Sequence, residues 1–122
     1  MKTKTISIHL DGNEDGPETE ITLHSARIED GLYRGELVGE AVNNFKEDDE
    51  SNHAKRSVGI MMRPSCLAAL AKDDPLRKMN IDDFMVISDY DANNWLEAVY
   101  ELNPHWNPSR FNLGNKEAEK KR

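Results

Sequence analysis

Four histidines, one cysteine and several runs of carboxylates are the residues of this chain with the most obvious chemistry. His9, His24, His53 and His105 are scattered, and with no HExxH string and no Cys/His quartet they do not space like zinc ligands. Cys66 lies in "RPSCLAALA", an apolar stretch with no base beside it in sequence. It therefore reads as a small buried hydrophobe and not as a nucleophile. No GxSxG, P-loop or GxGxxG string occurs.

Two acidic strings resemble calcium loops. Asp11, Asn13, Asp15 and Gly16 in "DGNEDGPETEIT" fall at the first, third, fifth and sixth positions of an EF-hand loop. Thr22 stands where a bidentate glutamate belongs, and the flanks alternate like strands where helices are required. "DYDANNWLEAVY" offers Asp89, Asp91 and Asn93, but Asn94 replaces the glycine and Tyr100 closes the string. Turn and cap chemistry accounts for both. The expectation is no catalytic residue, no metal and no cofactor, because an enzyme calls for a concave pocket with displaced titrating groups and no cluster points to one.

The elements follow from periodicity. "TKTISIHL" alternates Ile6, Ile8 and Leu10 against Thr5, Ser7 and His9, and "TEITLHS" repeats the pattern with Ile21 and Leu23. With "DGNEDGP" between them, residues 3–24 read as a β-hairpin. A lone hairpin is marginal in water, so it must pack on something, and the next helix is the expected support. That helix is predicted over 26–44, with Ser25 as N-cap and Glu29 and Asp30 near its positive end. Ile28, Leu32 and Val42 lie along one side with Gly31, Gly35 and Gly39, while Tyr33, Leu37 and Ala41 form a neighbouring row. Two such stripes predict burial on more than one side.

Each glycine inside a helix costs about 1 kcal/mol relative to alanine. Glycines four apart also make a groove that another backbone can approach closely. The groove is filled either by the domain's own hairpin, the plainer reading, or by a partner chain.

"KEDDESNHAKR" is too charged to bury and reads as a loop. Helical structure is predicted over 54–72, broken at Arg63 with Pro64 opening a fresh turn, and with Met61, Met62, Leu67, Leu70 and Ala71 supplying core. A further helix over 81–88 is capped by Asn80 and buries Phe84, Met85 and Ile87. The last, over 92–102, has Asp91 as N-cap, Trp95, Val99 and Leu102 on one face, and a stop at Asn103–Pro104. Residues 107–122, with Phe111 and Leu113 the sizeable apolar residues, read as a polar tail. The expected architecture is α+β, mainly α: one domain over 1–106, a hairpin packed on about four helices.

At 122 residues the chain fits one domain. Its 23 acidic residues outnumber 16 basic ones for a net charge of −7, which disfavours a nucleic-acid partner. No run approaches the roughly 18 apolar residues of a membrane span, and "MKTKTISIHLDG" lacks the apolar core of a signal peptide, so a cytoplasmic protein is expected. The single cysteine excludes an internal disulfide and fits a reducing compartment.

"ITLHSARIEDGLYRGELVGEA", followed after a charged gap by "RPSCLAALAKDDPLRKMNIDDFMVISDYDANNWLEAVYELNPHW", resembles the tail assembly chaperones of long-tailed bacteriophages. Those are small, acidic, mainly helical proteins. The resemblance covers about residues 21–106, and the matching positions are Asp30, Gly31 and Arg34, then Trp95, Leu96, Val99, Tyr100, Leu102, Asn103 and Pro104. It implies binding without catalysis: such chaperones coat the tape measure protein and keep it soluble until tube subunits polymerise around it. A frameshifted longer product commonly recruits the tube protein, and Lys120–Lys121 fits a slippery codon pair. The acidic hairpin loop and the insertion at Glu47–Glu50 have no counterpart in that family.

The partner face expected on this reading carries Leu32, Gly35 and Gly39, with Trp95 and Tyr100 as aromatic anchors, all residues that can equally serve as core. Self-association is a further expectation. The alternative is a small acidic inhibitor or adaptor for a basic host surface, whose affinity would fall steeply with salt.

Overall fold

The computed structural model describes residues 2–109, so most of the polar tail expected at 107–122, including Phe111, Leu113 and Lys120–Lys121, lies outside the described residues. The fold is α+β and mainly helical. Strands β1 (Thr3–Ile8) and β2 (Thr19–His24) pair antiparallel with Ile6 opposite Ile21. Alternation turns Ile8, Ile21 and Leu23 fully inward. Thr5 and Thr22 face outward, where their hydroxyls meet at 3.0 Å.

In the connecting loop the Asp11 carboxylate accepts from the Asn13 N–H and the Asn13 side chain from the Asp15 N–H. These oxygens make turns, and among the described residues no group of three His, Cys, Asp or Glu side chains is placed to hold a metal ion. Gly12 has φ +77°, and a Cβ there would lie 2.2 Å from the Val86 carbonyl oxygen. Only glycine lets the loop seat so closely against that segment.

Among the described residues the α-helices that follow are α1 (Ile28–Asn44), α2 (His53–Met61), α3 (Arg63–Ala68), α4 (Ile81–Met85) and α5 (Asp89–Leu102). Short 3-10 turns lie at Glu50–Asn52, Pro75–Lys78 and Pro104–Trp106. The break predicted at Arg63 within 54–72 falls at Met62 (φ −120°, ψ −61°), because Pro64 in the first turn of α3 has no N–H to give the turn before it, and the helical run ends at Ala68. Leu67 and Leu70 are buried as expected, but Met61 and Ala71 are exposed. α4 stops at Met85, short of the predicted 88, which leaves Met85 exposed while Phe84 and Ile87 bury. Asn80 caps α4 as predicted, accepting from the Asp83 N–H at 2.8 Å.

Two helix starts differ from expectation. Ser25 is not the cap of α1: its N–H goes to the Lys2 carbonyl, and the Ala26 N–H goes to the Asn103 side chain. Both bonds hold the chain extended until Arg27, whose N–H is taken by the Asp30 carboxylate at 2.9 Å. Asp91 is not the cap of α5 either, since the Ser88 hydroxyl accepts from the Asp91 N–H at 3.1 Å. The carboxylate of Asp91 is thereby free for another partner.

The hairpin packs on α5, not on α1 as the sequence suggested, and the end of β2 bridges to Leu70 through a bond from the His24 N–H to the Ala69 carbonyl. Asn103, buried just past α5, accepts from Ala26 and donates to the carbonyls of His24 and Val99. What reads in sequence as a stop signal is thus a clamp between β2 and α5. α1 packs instead on α2 and α3, and the crossing with α2 is close because Gly59 faces Ala41.

Candidate functional site

The inward side of α1 is fastened at both ends. Near its start the buried Asp30 carboxylate meets the Arg77 guanidinium at 3.0 Å. Arg77 also donates to the Leu70 carbonyl at 2.8 Å and stacks 4.6 Å over the Tyr33 ring. Tyr33 in turn donates its hydroxyl to the Arg77 carbonyl. In the next turn Arg34 donates to Ser65 at 2.9 Å and lies over the Trp106 ring. At the far end the Arg56 guanidinium donates to the Phe45 carbonyl at 2.6 Å, satisfying a group just past the helix. Asp30 and Arg34, two of the positions that carry the family resemblance, therefore serve to hold α1 in place. Leu37 and Ala41 complete the buried row, as the sequence predicted.

The opposite side of α1 is also apolar, and nothing of the described chain covers it. Ile28 is 86% exposed, Leu32 66% and Val42 42%. A Cβ built at Gly31, Gly35 or Gly39 would meet no atom within 4 Å. The expected second buried stripe is thus an exposed one, and the hairpin does not fill the groove. At the helical repeat, Val38, Gly31, Val42, Gly35, Ile28, Gly39 and Leu32 occupy one uninterrupted arc of roughly a third of the circumference. Along one edge of that arc run Glu29, Glu36 and Glu40, all exposed.

The five residues expected to form the partner face are not brought together. Leu32, Gly35 and Gly39 lie side by side on the outer arc. Trp95 is fully buried in the core, tilted against Phe84 at 5.7 Å between ring centres. Its indole N–H has no partner among the described residues. Tyr100 is half-buried beside Arg34 and Ser65, and burial pushes its hydroxyl above the usual range against the opposing effect of the Arg34 charge. Neither ring reaches the outer face. Ile28 and Val42 lie on the same stripe as the sequence placed them, and that stripe is exposed where burial was expected.

The other groups with displaced titration are fixed to neighbours. The Asp91 carboxylate takes both the backbone N–H and the ring Nδ1 of His9, each at 2.9 Å. That hydrogen bond raises His9 above its ordinary value, burial works against it, and the charges of Asp91, Glu18 and Glu14 add to the rise. Burial alone would raise Asp91, but the bonds and charge from His9 outweigh it and hold the carboxyl below its ordinary value. The pair ties the end of β1 to the first turn of α5. Burial pushes the Cys66 thiol far up, which makes it a poor nucleophile. Clefts among the described residues include one of about 280 Å³ beside Tyr33 and Arg77, one of about 270 Å³ among Val58, Met62, Phe84 and Met85, and an open one of about 340 Å³ among Glu97, Tyr100, Glu101 and Asn107. Of the groups with displaced titration, Tyr100 lines the last of these, and none lines the other two. No described helix is long and apolar enough to cross a membrane.

Comparison with protein-family models, with curated proteins and with solved structures finds no match for this chain.

Proposed function

We propose that this chain is a non-catalytic binding protein that holds an amphipathic helical segment of another polypeptide against the outer face of α1. The observation that carries the reading is the pairing of exposed Ile28, Leu32 and Val42 with three glycines whose Cα atoms face open space. Three helix-interior glycines cost roughly 3 kcal/mol, a large share of a typical folding stability of about 5–15 kcal/mol, and no contact within the described residues offsets that cost. An incoming backbone can offset it, because glycine permits an interhelical approach that any side chain would hold apart. The recognition mode is a helix laid along an apolar groove, read through alternate turns of the incoming segment. Surrounding negative charge keeps such a surface soluble.

The resemblance to tail assembly chaperones supplies the client: a long helical tape measure protein, sheltered until tube subunits take it over. The test is co-expression with a long helical tape measure protein. The wild type is expected to keep that protein soluble and to co-purify with it. Gly35→Leu, whose Cβ would meet no atom of its own fold within 4 Å, is expected to stay folded by circular dichroism and to lose the client. A Gly35→Leu variant that is folded and fully competent refutes the reading, as does a turnover reaction assigned to the chain.

A further inference from the structure

The charges beside the outer face of α1 restrict what can occupy it, and this inference rests on the docking reading above. Glu36 stands seven residues after Glu29 and Glu40 four after Glu36 along one edge of the apolar arc, so they point the same way. Glu29 has Lys72 at 3.9 Å. Glu36 and Glu40 have no ion-pair partner among the described residues. The other edge is bounded by Arg34, whose guanidinium is already committed to Ser65 and to the Trp106 ring.

This asymmetry disfavours a second copy of the chain. A two-fold axis that pairs two α1 helices antiparallel keeps each edge on its own side, so the glutamates of one copy would lie along those of the other. A parallel two-fold pairing would set the same glutamates against the edge where the Arg34 guanidinium is already engaged. Closed dimers require the same patch on both partners, and this patch does not complement itself. We infer that the occupant of the face is a helix from a different protein, with small and apolar residues toward the glycines and lysine or arginine along the edge that meets Glu36 and Glu40.

Two synthetic helical peptides of about 20 residues test this, both with alanine and leucine on the docking side. One carries lysine and the other glutamate at the edge positions. By fluorescence anisotropy the full chain at low salt is expected to bind the lysine peptide at least about tenfold more tightly, the sum of several exposed pairs gained in one peptide and repelled in the other. The preference is expected to shrink toward unity near 1 M salt, where the screening length is about 3 Å. The Glu36→Lys, Glu40→Lys double variant, altered only at exposed positions, is expected to reverse it, and Gly35→Leu to weaken both peptides. Equal binding of the two peptides, both weakened by Gly35→Leu, overturns the charge rule and leaves the docking face standing. A concentration-dependent dimer by sedimentation that Gly35→Leu abolishes overturns the rule in favour of self-pairing. Binding of neither peptide overturns both the rule and the face.

Discussion

A methyl group added at Gly59 would meet the Cβ of Ala41 at 2.9 Å, whereas one added at Gly31, Gly35 or Gly39 would meet nothing within 4 Å. These positions mark the two sides of α1. On the inner side one glycine lets α2 pack closely, and the cost of its conformational freedom is offset inside the molecule. On the outer side three glycines leave a bare arc between Ile28, Leu32 and Val42. Small residues therefore mean different things on the two sides of one helix: at Gly59 the close neighbour is present, and at Gly35 it is absent from the described chain. The inner side also holds the buried polar contacts, the outer side none.

The largest expected effect lies where the inner side is fastened. Asp30 and Arg77 are both buried, and removing one partner leaves a charge without its counter-ion. Arg77→Ala is expected to lose about 3–5 kcal/mol in urea unfolding. A double change to Asp30→Leu and Arg77→Met should recover a substantial part of that loss, since neither charge then needs hydration. A loss below about 1 kcal/mol for Arg77→Ala would mean that α1 is held by its apolar row alone.

Next come the glycines themselves. Gly59→Val forces a branched side chain against Ala41 and is expected to cost about 1–3 kcal/mol. Gly35→Ala should do the reverse and stabilise by about 1 kcal/mol, with Gly39→Ala similar, because each gains helix propensity and displaces nothing. Equilibrium unfolding of the three variants decides the comparison. If Gly35→Ala destabilises while Gly59→Val does not, the assignment of inner and outer sides is reversed.

Much of this was legible in the sequence, and the exceptions have physical reasons. The hairpin, the row of Leu37 and Ala41, the burial of Cys66 and the cap at Asn80 follow from local periodicity and local hydrogen bonding. The outer stripe of α1 has the same periodicity as the inner one, and periodicity alone does not say which stripe is covered. Tertiary bonds set what was misread. Asn103 reaches Ala26 across the fold and delays the start of α1, and Arg77 finds Asp30 forty-seven residues away. Trp95 and Tyr100 look alike as anchors because an aromatic residue on an amphipathic helix suits a core and an interface equally. The internal contact of the helix glycine Gly59 lies in "SVGIMM", which pattern alone does not distinguish from the exposed glycines of α1.

The smallest expected effect concerns a contact remote from both sides of α1, and it provides a control for them. His9 is raised by its bond to Asp91, so the stability it contributes is fully present below its ordinary value of 6.5 and is lost as pH climbs through the raised value in the fold. Asp91 is lowered, so its contribution is present above its ordinary value of 3.8 and is lost as pH falls through the depressed value. The contact is therefore fully effective from about pH 3.8 to 6.5. The melting temperature of the wild type should exceed that of His9→Gln most near pH 5 and the gap should close toward alkaline pH. A gap that is constant across the range would mean that His9 holds Asp91 as a neutral ring. Either way, binding of a helix at Gly35 should not follow this titration, because the latch joins β1 to α5 and bears on neither the glycines nor the glutamates. Docking that tracks the His9 profile would mean that the outer face of α1 depends on the seating of the hairpin, and the two sides of the helix would no longer be separable.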